Sequence, residues 1–408
     1  MRLLFLSPVG VVGGAERVLL MAVAGVKQAD PAAVVRVIAP TDGPLLDAVR
    51  AAGADAEVVP MPAALGRLGD SQIRSAGGWP RRLALLGRAV GAVPAACGYL
   101  ARLRTAIARF KPDLVHSNGI KTHLLSRVAV PRHVPVVWHL HDFSGQRPVA
   151  AGLLRWARCR VRGAVAISQA VADDAAKVLP GLPVTVVLNA VNLARFGPGP
   201  GDDLDALAGL PPASPGTVRV GLVATYARWK GHVTFLDAAR ILAESAPGLS
   251  VRWYVIGGPI YQTAAQFTEP ELRAAAAGRG VSERVGFVPF RPDPAGAYRG
   301  LDVVVHGSTL PEPFGLTVVE AMACGRAVVV SAAGGAAELF TDGHDGFGVA
   351  PGDAVGMAAA VRRLVEDSAL RERLGAAARV TATARFDDTR YGPQLLDAYG
   401  ELLPATPS

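Results

Sequence analysis

The chain has 408 residues, half of them hydrophobic, which is too long for one ordinary domain and long enough to give each of two domains a full core. No apolar run reaches transmembrane length, and residues 1–12 end too soon before Gly13 to read as a signal peptide rather than a first buried strand. A net charge of +8, mostly from arginine, suits phosphorylated substrates or an anionic membrane surface, while missing zinc-finger spacing, RNP-like aromatic strands and an arginine-rich tail argue against nucleic acid.

In chain order, short apolar runs at 3–6, 34–38, 114–116, 134–138, 165–167 and 184–188 alternate with helical patterns. A second series follows at 218–223, 251–256, 285–288, 303–305 and 327–330. Strands separated by helices predict one parallel α/β sheet in each half. Between the halves, the Pro/Gly-rich residues 197–201 and 211–216 read as a linker. The expected divisions are therefore 1–196, a linker at 197–216, 217–386, and a last helical segment at 387–408. Further helices are expected at 354–366 and 369–385. Doubly wound domains that face each other gather their strand carboxyl ends at the crevice, where the active site is expected. Cys97, Cys159 and Cys324 are scattered without metal-like spacing, which fits a reducing cytoplasm and no disulfide framework.

Several strand ends carry candidate chemistry. Gly13-Gly14-Ala15-Glu16 follows the first strand and opens a helix, where backbone can approach a phosphate or a sugar, although the spacing is not the dinucleotide fingerprint and a plain tight turn would look the same. Trp138-His139-Leu140-His141-Asp142 ends a first-half strand with both histidines on one side. No companion ligand at metal spacing accompanies them, so one of the two is expected to be a satisfied core ring and the other to lie near phosphate or sugar charge. Asp203-Leu204-Asp205 has a metal-diphosphate spacing but lies in the Pro/Gly stretch, where a solvated loop is expected. Arg228-Trp229-Lys230-Gly231 places two cations at the mouth of a helix starting near 231, suited to a diphosphate.

The richest segment is Pro311-Glu312-Pro313-Phe314-Gly315-Leu316 with Glu320 beyond it. Leu316, Val319, Met322 and Ala323 give an apolar helix face, so Glu312 falls at the helix mouth and Glu320 about one and a half turns inside. Backbone N–H groups near Phe314, Gly315 and Leu316 would face an anion between the two carboxylates. Residues 301–330 are nearly free of charge, which weighs against two merely solvated glutamates. Gly334-Gly335-Ala336-Ala337-Glu338 follows the next strand and lets backbone approach the same ligand.

Taken together and in this order, these elements resemble a retaining GT-B glycosyltransferase of family 4 over nearly the whole chain, the paired glutamates being the most specific part. The resemblance implies two Rossmann-like doubly wound domains, a final helix crossing back to the first, and transfer of a sugar from a UDP- or GDP-type donor with retained configuration and no cofactor or bound metal. It implies that Arg228 and Lys230 hold the diphosphate, that Glu320 holds the ribose, and that Glu312 with the Phe314 and Gly315 backbone holds the sugar, which His141 approaches from the other domain. Two departures stand out: Thr225 occupies the position of the family's usual arginine, and Asn189-Ala190-Val191-Asn192 replaces the common Asn-Gly-Val-Asp.

The competing readings are hydrolysis or epimerisation of a sugar nucleotide on the same fold, and a non-catalytic nucleotide-sugar-binding protein. The acceptor is expected to be a small molecule, a glycan or a lipid-linked hydroxyl. The arginine-rich stretch 74–111, with Leu100, Leu103, Ile107 and Phe110 on one stripe, is a candidate peripheral contact with the inner membrane face; a helix packed on its own sheet is the alternative. Base-side contacts are expected from loops 257–262 and 287–290.

Overall fold

The computed structural model describes residues 1–63, 93–259 and 264–403, which fall into two compact units, Met1–Leu188 with Thr389–Ser408, and Asn189–Asp388. In the first unit β1 (Arg2–Leu6), β2 (Val34–Ala39), β3 (Asp55–Val58), β4 (Leu114–Asn118), β5 (Val136–Leu140), β6 (Gly163–Ala166) and β7 (Val184–Val186) form one parallel sheet in the order β3-β2-β1-β4-β5-β6-β7. Around it run α1 (Gly14–Ala29), α2 (Pro44–Ala51), α3 (Val93–Phe110), α4 (Ile120–Ala129), α5 (Pro148–Ala157) and α6 (Gln169–Val178). Strands β4, β5 and β6 are buried along their whole length, as expected of a parallel sheet covered on both faces.

The second unit begins with a short helix, α7 (Leu204–Leu207), followed by β8 (Val218–Val223), α8 (His232–Ser245), β9 (Val251–Gly257), α9 (Glu269–Ala277), β10 (Val285–Pro289), α10 (Ala295–Gly300), β11 (Val303–His306), α11 (Leu316–Ala323), β12 (Ala327–Ser331), β13 (Phe347–Val349), α12 (Ala354–Glu366) and α13 (Ser368–Arg385). Its parallel sheet runs β10-β9-β8-β11-β12-β13. In both sheets the chain works outward from one strand and then restarts on that strand's other side. This leaves a switch point between β1 and β4 in the first unit and between β8 and β11 in the second, where loops diverge and a ligand can enter.

Three boundaries differ from the sequence-based expectation. The first unit ends at Leu188 rather than 196, and the chain returns to it at Thr389 rather than 387. Val191 pairs with Asp387, so both crossing strands leave the second unit side by side. The stretch 197–216 is no tether. The Asp202 N–H donates to the Gly296 carbonyl, and a Cβ on Gly201 would lie 2.4 Å from the Gly300 nitrogen, so the glycines mark backbone contact rather than freedom. Nor are the two aspartates solvated. Asp203 caps α7, while Asp205 is 3% exposed and accepts from Arg252 at 2.6 Å and from the Tyr254 hydroxyl at 2.5 Å. Burial pushes the Asp205 carboxyl up, but Tyr254, Arg252, the Ala213 N–H and Arg219 outweigh it and hold the group far below the usual carboxylate range.

The last helix, α14 (Tyr391–Leu402), packs against α1 in the first unit. A Cβ on Gly392 would sit 2.0 Å from the Gly25 carbonyl oxygen, so the two backbones touch where both residues are glycine. The apolar stripe of α3 turns inward, with Leu103, Ile107 and Phe110 buried, so the described part of 74–111 packs on its own sheet; residues 74–92 lie outside the described residues. Two edge strands escape sequence patterning. β3 reads Asp-Ala-Glu-Val, and β13 is only three residues long.

Candidate functional site

The second unit's switch point brings Lys230 and Glu312 together. Lys230 lies in a 3-10 turn, Arg228–Lys230, after β8, and Glu312 lies in the loop after β11. The join needs Gly231, whose φ is +78° and where a Cβ would fall 1.7 Å from the Gly307 carbonyl oxygen; no other residue lets the two loops come so close. The Lys230 ammonium donates to Glu312 Oε1 at 2.5 Å. On the other carboxylate oxygen, His306 Nε2–H donates at 2.7 Å and the Ser308 hydroxyl at 2.5 Å. Burial pushes the Glu312 carboxyl up, but the charge of Lys230 and then His306 outweigh it, so it stays ionised far below the usual range. The Glu312 backbone is fixed as well, its N–H donating to the Ala333 carbonyl and its carbonyl accepting from the Gly335 N–H at 2.7 Å. The Gly334-Gly335 loop therefore braces Glu312 directly.

Three residues beyond Glu312, Gly315 at φ +109° opens α11 with no side chain capping it. The first-turn N–H groups of this helix, by Leu316, are thus aimed at the loop. Phe314 is buried against the Phe386 ring. Glu320 is 6% exposed within the helix and accepts from the Tyr298 hydroxyl at 2.7 Å.

Arg228 does not join this group. Its guanidinium donates to Glu271 at 3.0 Å and to the Ala264 carbonyl at 2.9 Å, and it lies 4.2 Å over the Phe267 ring, all on the α9 side. Of the expected base-side loops, Ile260, Tyr261 and Gln262 lie outside the described residues, while Phe290 is exposed beyond β10.

In the first unit, Gly13 is the N-cap of α1 and its N–H donates to Glu16 Oε2 at 3.1 Å, the backbone half of a capping box, so Glu16 occupies the group expected to meet a ligand. Burial raises the Glu16 carboxyl against the backbone hydrogen bonds that lower it. Around Gly14 a Cβ would meet nothing within 4 Å. Asn118, at the end of β4, links this turn to the histidines, its amide donating to the Ala15 carbonyl at 3.3 Å and its oxygen accepting from His141 Nε2–H at 2.6 Å. His139 and His141 share one side of β5, with ring centroids 4.1 Å apart.

His139 is fully buried, as expected for one of the pair, and belongs to a longer run. The Tyr399 hydroxyl lies 2.7 Å from His116 Nδ1, His116 Nε2 lies 3.1 Å from His139 Nδ1, and the Tyr391 hydroxyl lies 3.5 Å from His139 Nε2. His123 stacks on Trp138 and meets the Ser117 hydroxyl at 2.8 Å. Burial pulls His116 and His141 down to about 3 and holds His123 and His139 well below their ordinary value, so all four rings are neutral near pH 7. Among the described residues, no group of three or more His, Cys, Asp or Glu is placed to hold a metal ion, and no helix is long and apolar enough to cross a membrane.

Sequence reasoning did not single out His306, Ser308, Tyr298 or Asn118. A signal existed for the first two: in Val305-His306-Gly307-Ser308 a polar residue recurs at a spacing of two as an all-valine strand ends, just before Glu312. Tyr298 and Asn118 come from other elements, and only the fold of each unit brings Tyr298 to Glu320 and Asn118 to His141.

Residues 12–195 match the family described as Glycosyltransferase Family 4, and residues 214–381 match Glycosyl transferases group 1. The chain is 32% identical over 330 residues to the D-inositol 3-phosphate glycosyltransferase of Actinosynnema mirum, a span of 75% of this chain and 77% of that protein. It is 33% identical to the lipopolysaccharide core biosynthesis mannosyltransferase LpcC of Rhizobium leguminosarum bv. viciae, over 54% of this chain and 61% of the relative. Among solved structures it is similar to Anabaena HepE in complex with UDP and glucose, with a TM-score of 0.76, 25% identity, and 98% and 99% of the two chains covered.

Proposed function

The chain belongs to glycosyltransferase family 4, and on that premise we propose that it transfers a sugar from a nucleoside diphosphate donor to an acceptor hydroxyl, with retained anomeric configuration and without a metal ion. The observation that carries this is the Lys230–Glu312 pair, buried at a sheet switch point beside the uncapped start of α11. A fixed ammonium and a row of N–H groups suit a leaving diphosphate, and in a site shielded from water they act more strongly than in solution. Glu312, ionised and gripped by three donors, offers its carboxylate edge to sugar hydroxyls. Glu320, steadied by Tyr298, is assigned to the ribose, and His141, as a neutral ring, to the transferred sugar. Gly13 and Gly14 are assigned to close backbone approach.

Arg228 is assigned to the diphosphate as a second cation. To reach it, Arg228 must leave Glu271, and because that ion pair is exposed its loss costs little. His306 and Ser308 act through Glu312 and are positioning residues.

In the reaction, the bond between the anomeric carbon and the diphosphate oxygen breaks through an oxocarbenium-like state. The acceptor oxygen bonds to that carbon on the face the diphosphate vacates. The acceptor proton passes to the departing phosphate oxygen, which has just gained the electron pair. UDP is the donor nucleotide to try first, because HepE was crystallised with UDP and glucose. A phosphorylated polyol is the first acceptor to try, because the Actinosynnema mirum relative is named for inositol phosphate. A cytoplasmic setting is part of this reading and accords with the free thiols Cys97, Cys159 and Cys324.

The test incubates the protein with UDP- and GDP-sugars and an acceptor panel, with and without EDTA, and reads the product's anomeric configuration by NMR. A product of unchanged configuration, formed equally with EDTA, is expected. An inverted product or loss of turnover in EDTA would overturn the corresponding part, and release of free sugar without any acceptor product would make the protein a hydrolase.

A further inference from the structure

We propose that α5 docks the protein on an anionic lipid bilayer, with Leu153 and Trp156 entering the interface and the surrounding arginines meeting phosphate headgroups. This rests on the surface of the first unit alone and not on donor or acceptor chemistry.

The helix is built inside out. Its small residues Ala150, Ala151 and Ala157 face inward with Leu154, while Val149, Leu153 and Trp156, spaced four and three apart on one face, are 51%, 46% and 53% exposed. Beside them on α4, Val128 is 46% exposed, and the Arg127 guanidinium lies 4.1 Å over the Trp156 ring. Four of the twelve large apolar side chains exposed on the described residues thus belong to two packed helices. A surface helix that only covers its sheet would show the reverse pattern.

The charge around this face names the occupant. Residues 119–163 contain eight lysines and arginines and a single acid, Asp142, which is already paired with Arg147 at 3.1 Å. Arg155 donates to the Val178 carbonyl at 2.9 Å, Arg160 to the Val130 carbonyl at 3.0 Å and Arg158 to the Pro180 carbonyl. Carbonyl partners hold these guanidinium groups at the surface without neutralising them. The nearest acids on α6 are committed to local polar contacts, Asp174 accepting from the Gly145 N–H and Asp173 from the Gln169 amide. An apolar ridge with a tryptophan, set in a surface where cations far outnumber acids, matches the acyl boundary and phosphates of an anionic leaflet. A second copy of the chain would set like charges against each other, and a nucleic acid backbone would offer Val149 and Leu153 nothing apolar.

The experiment is co-sedimentation of the full chain with vesicles of phosphatidylcholine alone or with about 30% phosphatidylglycerol, a mixture that carries the surface potential in question. The wild type is expected to pellet with the anionic vesicles, less so as salt rises, and to stay largely in solution with neutral ones. Leu153→Ser with Trp156→Ser should lower the partition constant at least about tenfold through lost apolar insertion. Arg132→Glu with Arg162→Glu, at two exposed sites whose side chains make no hydrogen bond or ion pair among the described residues, should lower it about fivefold or more for each charge. All these positions are exposed, so unchanged thermal midpoints would confirm that the variants fold. Failure of the wild type to bind anionic vesicles would overturn the proposal. So would undiminished binding by the Leu153/Trp156 variant, which would place attachment elsewhere, and so would a dimer in solution that this variant dissolves, which would assign the face to a second copy.

Discussion

The two units wind their sheets alike but differ in the main polar clusters they bury. The second unit buries charge in closed pairs: Lys230 with Glu312, and Asp205 with Arg252. The first unit buries uncharged rings, His116, His139 and His123, with hydroxyl partners from Tyr399, Tyr391 and Ser117 and no carboxylate among those contacts. An ion pair is a dipole whose two charges largely cancel at a distance, so it acts on a ligand that touches one of its members directly, whereas a neutral imidazole gives or takes a hydrogen bond. Under the proposed function, electrostatic work falls to the second unit and polar fit to the first.

The strongest way to break this contrast is to remove charge from the second unit. Glu312→Gln is expected to lower kcat about 10³-fold, near the loss seen when one aimed polar group leaves a transition-state site. Lys230→Met should cost about as much, and the double variant little more, because the two act as one unit; steady-state kinetics of all three would show it. Next in size is Gly392→Val. Its side chain would drive into the Gly25 carbonyl, lowering unfolding free energy by about 3 kcal/mol, as read by urea denaturation. Because α14 also carries Tyr391 and Tyr399, the same change should leave the first unit's rings poorly partnered while sparing the second unit.

Acid sharpens the contrast. Folded His116 and His141 sit near 3 and His123 and His139 are also depressed, so the unfolded chain binds protons first. Their contribution is whole above pH 6.5 and is lost as pH falls toward about 3, at about 1.4 kcal/mol per pH unit for each ring kept neutral. In the second unit His232, pulled down to about 4, behaves this way; the Glu312 contribution is present above its ordinary value near 4.5 and is lost as pH falls below it. Hydrogen exchange, corrected for intrinsic rate, should therefore show 114–140 losing protection between pH 7 and 5 well before 303–331. The smallest effects belong to the exposed pair: Arg228→Ala should raise the donor KM about tenfold, the value of one charged hydrogen bond, while Glu271→Ala leaves it within about twofold.

Most of the two sheets is legible in the sequence, because strands buried on both faces read as unbroken Val, Leu and Ile runs and the helices between them are amphipathic. Edge strands such as Asp55–Val58 lack that signature. Glu312, Glu320 and Lys230 stand out because charge is rare in their surroundings. His306 and Tyr298 do not, since what marks them is a partner on another element. The stretch 197–216 misleads for a related reason: glycine and proline signal a free tether and a tight backbone contact in the same letters, and only the Gly201 approach to Gly300 tells them apart.

The meeting of Gly25 and Gly392 has a consequence for synthesis. Helix α1 leaves the ribosome well before α14, the partner its backbone rests on, and an entire second unit emerges between them. During that interval α1 and its sheet lack the cover of α14, a period in which a nascent chain is open to misassembly and to chaperone binding. The second unit, whose chain is continuous from Asn189 to Asp388, can close before the first one does.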